Sequence, residues 1–156
     1  MLKPVRVTPE GHARLQASLE QERQRLEEAT QILRDLIGNA DEEDDAGLED
    51  AKREKARIEQ RIDELDDQLA RAEIIREYSR DVADLGACIT LQDPEADEEF
   101  EVQLVSPVEA EVAESAIPRI SDASPLGKAL LGRKVGESFT VSIGRRHMHY
   151  HIIAIR

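Results

Sequence analysis

Tryptophan is absent from this 156-residue chain, and aromatic residues make up only 3% of it. Aromatic side chains bury the most area per residue, so their scarcity argues against one large core and for one or two small domains. A single cysteine, Cys88, excludes an intrachain disulfide. No stretch of about 18 apolar residues occurs, so no membrane-spanning helix is expected, and the opening Met-Leu-Lys-Pro-Val-Arg-Val has no apolar signal core. These absences point to a cytoplasmic chain. Positive charge is also short: 21 Lys and Arg face 34 Asp and Glu, a formal net charge of -13. Broad, non-specific binding to a nucleic-acid backbone needs clustered cations and is disfavoured. A basic or metal-bearing partner fits better.

What is present is charge with a period. Charged residues make up 35% of the chain and hydrophobic residues 40%, and the apolar ones recur at helical spacing, which argues for folded, solvated helices over disorder. Thr8-Pro9-Glu10 is a helix start, with Thr8 as N-cap, Pro9 at the first helical position and Glu10 complementing the dipole. Leu15, Leu19, Glu22, Leu26, Ala29, Leu33 and Leu36 then step by alternating four and three, the seam of a coiled coil. Gly38 is a plausible C-terminal cap. A second helix starts near residues 46–48, with Leu48, Ala51, Lys55, Ile58, Ile62, Leu65, Leu69 and Ala72 as its seam. Two seams of similar length across a short turn predict an antiparallel hairpin projecting as a rod. Glu22 and Lys55 stand where apolar residues belong and are candidates for fixing register.

From about residue 78 the period changes, and Asp84-Leu85-Gly86 reads as a junction. Leu85, Ala87, Ile89 and Leu91 alternate, Asp93-Pro94-Glu95 turns, and Phe100, Val102 and Leu104 alternate in a partner strand. Residues 108–112 are a candidate further strand. Ser124-Pro125 caps a short helix stopped by Gly132, and strands over residues 138–143 and 146–155 complete a small domain. The expected architecture is α+β: a coiled-coil hairpin over residues 1–78, tip at 38–48, followed by a β-rich domain over residues 79–156. Residues 93–114 hold nine acidic and no basic residues, while residues 119–156 hold seven basic and two acidic. The second domain therefore has a face able to meet an acidic partner, beside the plainer reading of a mixed solvated surface.

The chemistry concentrates at the hairpin tip, where Asp41, Glu42, Glu43, Asp44 and Asp45 follow one another. The first of these carboxylates lie at a helix C-terminus, which disfavours negative charge, and all repel one another. Hard oxygen donors on an exposed tip suit a divalent cation such as Mg2+ that already has other ligands. A solvated acidic turn is the alternative. A calcium loop fails on spacing, because Ala46 stands where glycine is needed and Lys52 where the bidentate Glu belongs. His147, His149 and His151 share one face of the last strand at a spacing that suits a transition metal. With no carboxylate or cysteine near in sequence, an exposed strand face is the preferred reading.

A long hairpin with an acidic tip, followed by a β-rich domain carrying Ser121-Asp122-Ala123-Ser124-Pro125-Leu126-Gly127-Lys128-Ala129-Leu130-Leu131-Gly132, resembles the bacterial Gre transcript-cleavage factors. The likeness covers nearly the whole chain and includes Ala51-Lys52-Arg53-Glu54 and Arg61-Ile62. It implies an FKBP-like C-terminal domain that anchors on RNA polymerase, with Ser121, Asp122, Ser124, Pro125, Leu126 and Gly127 as contact residues. It also implies a monomer whose coiled coil enters the polymerase secondary channel, near the RNA and DNA. There the tip, residues 41–45, meets the polymerase's catalytic Mg2+, and the chain has no cofactor of its own and is not itself an enzyme.

The family's tip pattern is Asp, two variable residues, Glu, Asn, Ala, Glu, Tyr. Asp41 takes the place of its Asp and Asp44 that of its first Glu; Asp45 replaces the Asn, Gly47 the second Glu and Leu48 the aromatic residue. The over-acidic tip is more similar to the inhibitory Gre-homologue branch, which suppresses RNA synthesis. Stimulation of cleavage of backtracked RNA is the alternative. A peptidyl-prolyl isomerase is a weaker one, since only Phe100, Phe139, Tyr78 and Tyr150 are available to line such a pocket.

Overall fold

The structure, a computed structural model, describes residues 3–38, 45–77, 80–111 and 116–156, with the backbone alone for Asp45. In chain order the elements are β1 (Val5–Val7), α1 (Pro9–Gly38), α2 (Asp45–Arg71), β2 (Ala72–Ile74), β3 (Cys88–Asp93), β4 (Glu98–Val105), α3 (Pro107–Ala110), β5 (Arg119–Ser121), α4 (Pro125–Leu130), β6 (Ser138–Ile143) and β7 (Arg146–Ile155). The architecture is α+β, as the sequence predicts. Two compact units divide the chain: Leu15–Ala70 forms one, and Met1–Arg14 joins Arg71–Arg156 to form the other. No helix among the described residues is long and apolar enough to cross a membrane.

In the helical unit the seams are where the four-three spacing puts them up to Leu69; Ala72, the last expected seam position, is corrected, since α2 ends at Arg71 and Ala72 opens β2. Leu15, Leu19, Ile58 and Leu65 are buried. Leu26, Ala29, Leu33, Leu36, Leu48, Ala51, Ile62 and Leu69 are half-buried between exposed charged positions. Arg23 on α1 reaches Asp66 on α2 at 3.6 Å, a pairing of an early with a late residue that an antiparallel arrangement requires. Being exposed, it adds little stability. Glu22 pairs with Arg25 (2.9 Å) and Lys55 with Glu59 (3.7 Å), so both seam charges are met along their own helix. Gly38 is the last residue of α1 and does not adopt the left-handed backbone expected of a glycine cap.

In the other unit β1 and β2 form a parallel pair, with Val5 opposite Ala72 and Val7 opposite Ile74. A five-stranded sheet has the order β5-β4-β3-β7-β6, antiparallel except between β4 and β5. Alternation along the strands sends Ile89, Leu91, Val102, Leu104, Phe139, Val141, Tyr150 and Ile152 to one face, where they pack with Leu130 of α4. Tyr150 meets Phe100 edge-on with ring centroids 5.6 Å apart, and Phe139 at 5.9 Å. The aromatics among the described residues, Phe100, Phe139 and Tyr150, thus belong to the core. Gly144 adopts φ 63° in the two-residue turn between β6 and β7, a conformation that glycine tolerates best.

Residues 107–110 are a helical turn, which corrects the strand expected over residues 108–112. Ser106 is its N-cap and Pro107 occupies the first turn, a start signal that outweighs the alternation of Val108 and Ala110. Glu109 of this turn is only 1% exposed. Its two carboxylate oxygens accept from the Thr8 amide and the Thr8 hydroxyl, both at 2.6 Å, and Thr8 Oγ1 in turn accepts from the Gly11 amide at 3.0 Å. The start of α1 is thereby fixed to α3.

Candidate functional site

The acidic tip lies outside the described residues: Asp41, Glu42, Glu43 and Asp44 fall there, as does the side chain of Asp45. What flanks it is described. The last turn of α1 carries no basic residue, so nothing in that turn offsets the partial negative charge of the helix end. On the α2 side, Lys52 pairs with Glu49 and Arg53 with Asp50, each at 3.8 Å. Both cations are thus paired with carboxylates of their own helix. Chemically, five hard oxygen donors suit Mg2+ better than a softer transition ion.

The second candidate, residues 121–127, is a rigid corner. β5 ends at Ser121, whose carbonyl accepts from the Ser124 amide (3.0 Å) and the Ser124 hydroxyl (2.6 Å). Ser124 Oγ accepts from the Gly127 amide at 3.1 Å, an N-cap, and Pro125 supplies the fixed first turn of α4. Gly127 is buried so tightly that a Cβ there would lie 1.9 Å from the Ser121 carbonyl oxygen. These constraints leave Pro125 exposed and the Asp122 side chain half-exposed. Ser121, Ser124 and Gly127 build the corner, Pro125 and Asp122 are its exposed and half-exposed side chains, and the half-buried Leu126 packs against the core of the sheet.

Beside Asp122 opens a recess of about 360 Å³ lined by Pro4, Val5, Leu85, Ser106, Pro107 and Val108, with Arg6 and Arg71 at its edge. Ser106 Oγ is buried there without a hydrogen-bond partner. No sequence signal marks Ser106, because a serine before a proline reads only as a helix start. Arg6 pairs with Asp84 at 3.2 Å. Among the described residues no aromatic side chain lines this recess, and an isomerase pocket is lined with aromatics.

At the sheet's other end Arg156 donates to Glu101 at 2.6 Å, a bond that holds the Glu101 carboxyl below the usual carboxylate range. Burial, then the Glu101 charge, pushes the Cys88 thiol up, so this cysteine is poorly suited to act as a nucleophile. His147, His149 and His151 stand on the open face of β7, as their spacing predicts. Among the described residues, no group of three or more His, Cys, Asp or Glu side chains is arranged to hold one metal ion.

Comparison with known proteins matches residues 5–74 to a family model described as "Transcription elongation factor, N-terminal" and residues 78–156 to one described as "Transcription elongation factor, GreA/GreB, C-term". The chain belongs to the GreA/GreB family. It is 48% identical over 99% of its length, and 98% of the relative's, to "Transcription inhibitor protein Gfh1" of Thermus aquaticus. It is 32% identical over 96% of its length, and 95% of the relative's, to "Transcription elongation factor GreA" of Thermosipho africanus. A solved structure described as GreA factor homolog 1 of Thermus thermophilus shares 47% identity with it, covers 99% of both chains and gives a TM-score of 0.49. This Gre-type transcription factor thus carries both family parts. The N-terminal match spans β1 to β2 with both helices between them, and the C-terminal match contains the corner at residues 121–127.

Proposed function

We propose that this chain binds bacterial RNA polymerase, inserts its helical hairpin into the secondary channel and inhibits RNA synthesis through the acidic tip at the polymerase's catalytic Mg2+. The observation that carries this reading is the full-length identity of 48% to a transcription inhibitor, against 32% to an elongation factor of the same family. The length of α1 supports it: 30 residues reach about 45 Å at 1.5 Å per residue, enough to carry a tip from a docked base into a deep channel. The corner at residues 121–127 is the anchor, with Asp122 and Pro125 as the contacting side chains.

At the tip, Asp41 and Asp44 stand at the family's two acidic positions, and Glu42, Glu43 and Asp45 surround them with further negative charge. Nucleotide addition uses two metals, the second arriving with the triphosphate. A dense group of carboxylates competes with the triphosphate for that metal and repels it. The same crowding works against cleavage. Asp44 is one methylene shorter than Glu, Leu48 has no aromatic ring and Gly47 loosens the first turn of α2, while a misplacement near 1 Å costs on the order of 100-fold in a catalytic step.

Extension of RNA by a bacterial polymerase tests the reading. The full chain slows extension, Asp41→Ala and Asp44→Ala relieve the inhibition more than Glu42→Ala does, and added Mg2+ or nucleotide relieves it in the wild type. A tip with all five acids replaced by Ala that still inhibits normally would mean steric plugging instead. Shortened RNA from arrested complexes incubated with the wild type favours the second reading, cleavage stimulation, for which the acids at positions 41 and 44 speak.

A further inference from the structure

The open face of β7 carries a row of three imidazoles, each opposite a hydroxyl on β6. His147 faces Ser142, His149 faces Thr140 and His151 faces Ser138. In every pair the hydroxyl oxygen lies close to the Nδ1 atom, at 2.9, 2.8 and 2.8 Å in that order. Met148, Tyr150 and Ile152 alternate with them and turn into the core side. Each ring is therefore held at Nδ1 and presents Nε2 outward. A hydroxyl can accept from Nδ1–H, and in that tautomer every outward Nε2 carries a lone pair. Metal-ligating histidines need this arrangement, one ring nitrogen fixed by an acceptor and the other free.

We propose that this face is a transition-metal site in which His149 and His151 hold one divalent ion through their Nε2 atoms, with water completing the shell. Two ligands, not three, follow from strand geometry. Alternate residues on a strand are roughly 6.7 Å apart, and two nitrogens on one tetrahedral ion, each at about 2.0–2.1 Å, are roughly 3.4 Å apart. Neighbouring rings reach a shared ion by each leaning less than about 2 Å, which the outer two of three cannot do. Charge selects the pair. Arg145 and Arg146 precede His147 and oppose a cation there, whereas Gln92, opposite His151 on β3, brings a neutral amide. A pure imidazole donor set suits Zn2+, Ni2+ or Cu2+ and does not suit Mg2+ or Ca2+. The site is thus chemically distinct from the carboxylate tip.

The test titrates Zn2+ into the full chain in excess Mg2+, which occupies carboxylates and leaves imidazoles open. Affinity is read by calorimetry and location by the imidazole nitrogen signals in NMR spectra. The expected result is saturable binding of one ion that shifts the Nε2 signals of His149 and His151, with His12 unmoved. His149→Gln and His149→Thr, both at an exposed position, abolish that binding. Thr140→Val, which removes the hydroxyl orienting His149 and keeps the branched strand shape, lowers affinity roughly 10–100-fold. Zinc binding that survives both His149 variants, a zinc titration that leaves the imidazole signals unmoved, or full affinity in Thr140→Val would overturn the proposal.

Discussion

Glu109 is the residue whose place in the structure departs furthest from its appearance in the sequence. In an acidic stretch of chain it reads as one more solvated carboxylate, yet it is 1% exposed and accepts two bonds from Thr8, which lies 101 residues earlier. Periodicity carries no information over such a separation. A buried carboxylate is tolerated only when its lone pairs are met, and Thr8 meets them while also capping α1. Gly11 is part of the same arrangement, since a Cβ there would lie 2.2 Å from Glu109 Cδ. Thr8→Val removes one donor to the carboxylate and the acceptor for the Gly11 amide at once. Losses of roughly 1.5–3 kcal/mol for the hydrogen bond to the carboxylate and 0.5–2 kcal/mol for the cap predict a destabilisation of about 2–5 kcal/mol. Chemical denaturation of Thr8→Val beside Thr8→Ser, which keeps the hydroxyl, checks it; equal stability of the two variants would exclude this role for Thr8. The tip acids present the opposite case, legible in sequence by their run of like charge alone.

The elements divide by whether they carry enough residues to show a period. Both long helices were legible because Leu15 to Leu36 and Leu48 to Leu69 repeat the four-three step over several heptads, and the strands over residues 138–143 and 146–155 because inward apolar residues alternate with outward Ser, Thr and His. Strands β1, β2 and β5 have three residues each, too few to establish alternation, and pairing partners 67 positions apart leave no local mark. The corner at residues 121–127 was readable through its Ser-Pro start, whereas the recess beside it was not, because Pro4, Leu85 and Ser106 meet only after folding. Within the helical unit, Glu22 marks a weak point of the seam. Its side chain is 15% exposed and paired with Arg25 on its own helix, and a polar residue at a seam position lowers stability. Replacing it with Leu buries about one leucine side chain, worth roughly 1.5–3 kcal/mol. Thermal melting followed by the helical signal at 222 nm should shift upward for Glu22→Leu, and a downward shift would show that the Glu22–Arg25 pair outweighs the apolar gain.

At the scale of the molecule, the unit containing the sheet is assembled from two separate stretches of chain, Met1–Arg14 and Arg71–Arg156. Residues 79–156 alone lack β1, β2 and Thr8, which leaves Glu109 without its donors at a cost of at least about 1–3 kcal/mol. A chain in which a short Gly/Ser loop replaces residues 15–70 keeps all of them. That chain is expected to melt cooperatively, to bind RNA polymerase and to leave RNA synthesis unaffected, while residues 79–156 melt at lower temperature. Inhibition by the looped chain as strong as that of the full protein would remove the hairpin from the mechanism. The bond between Thr8 and Glu109 also sets an order of events during synthesis. At about 5–20 residues per second, Glu109 is polymerised roughly 5–20 s after Thr8. Leucine seams joined by a short connection can find each other in that interval, and β2, made directly after α2, can pair with β1, while Thr8 still has no carboxylate to dock on. Capture of Thr8 by Glu109 of α3 then becomes a later step of assembly than the zipping of the hairpin. Anything fused ahead of Val5 has to be carried through it.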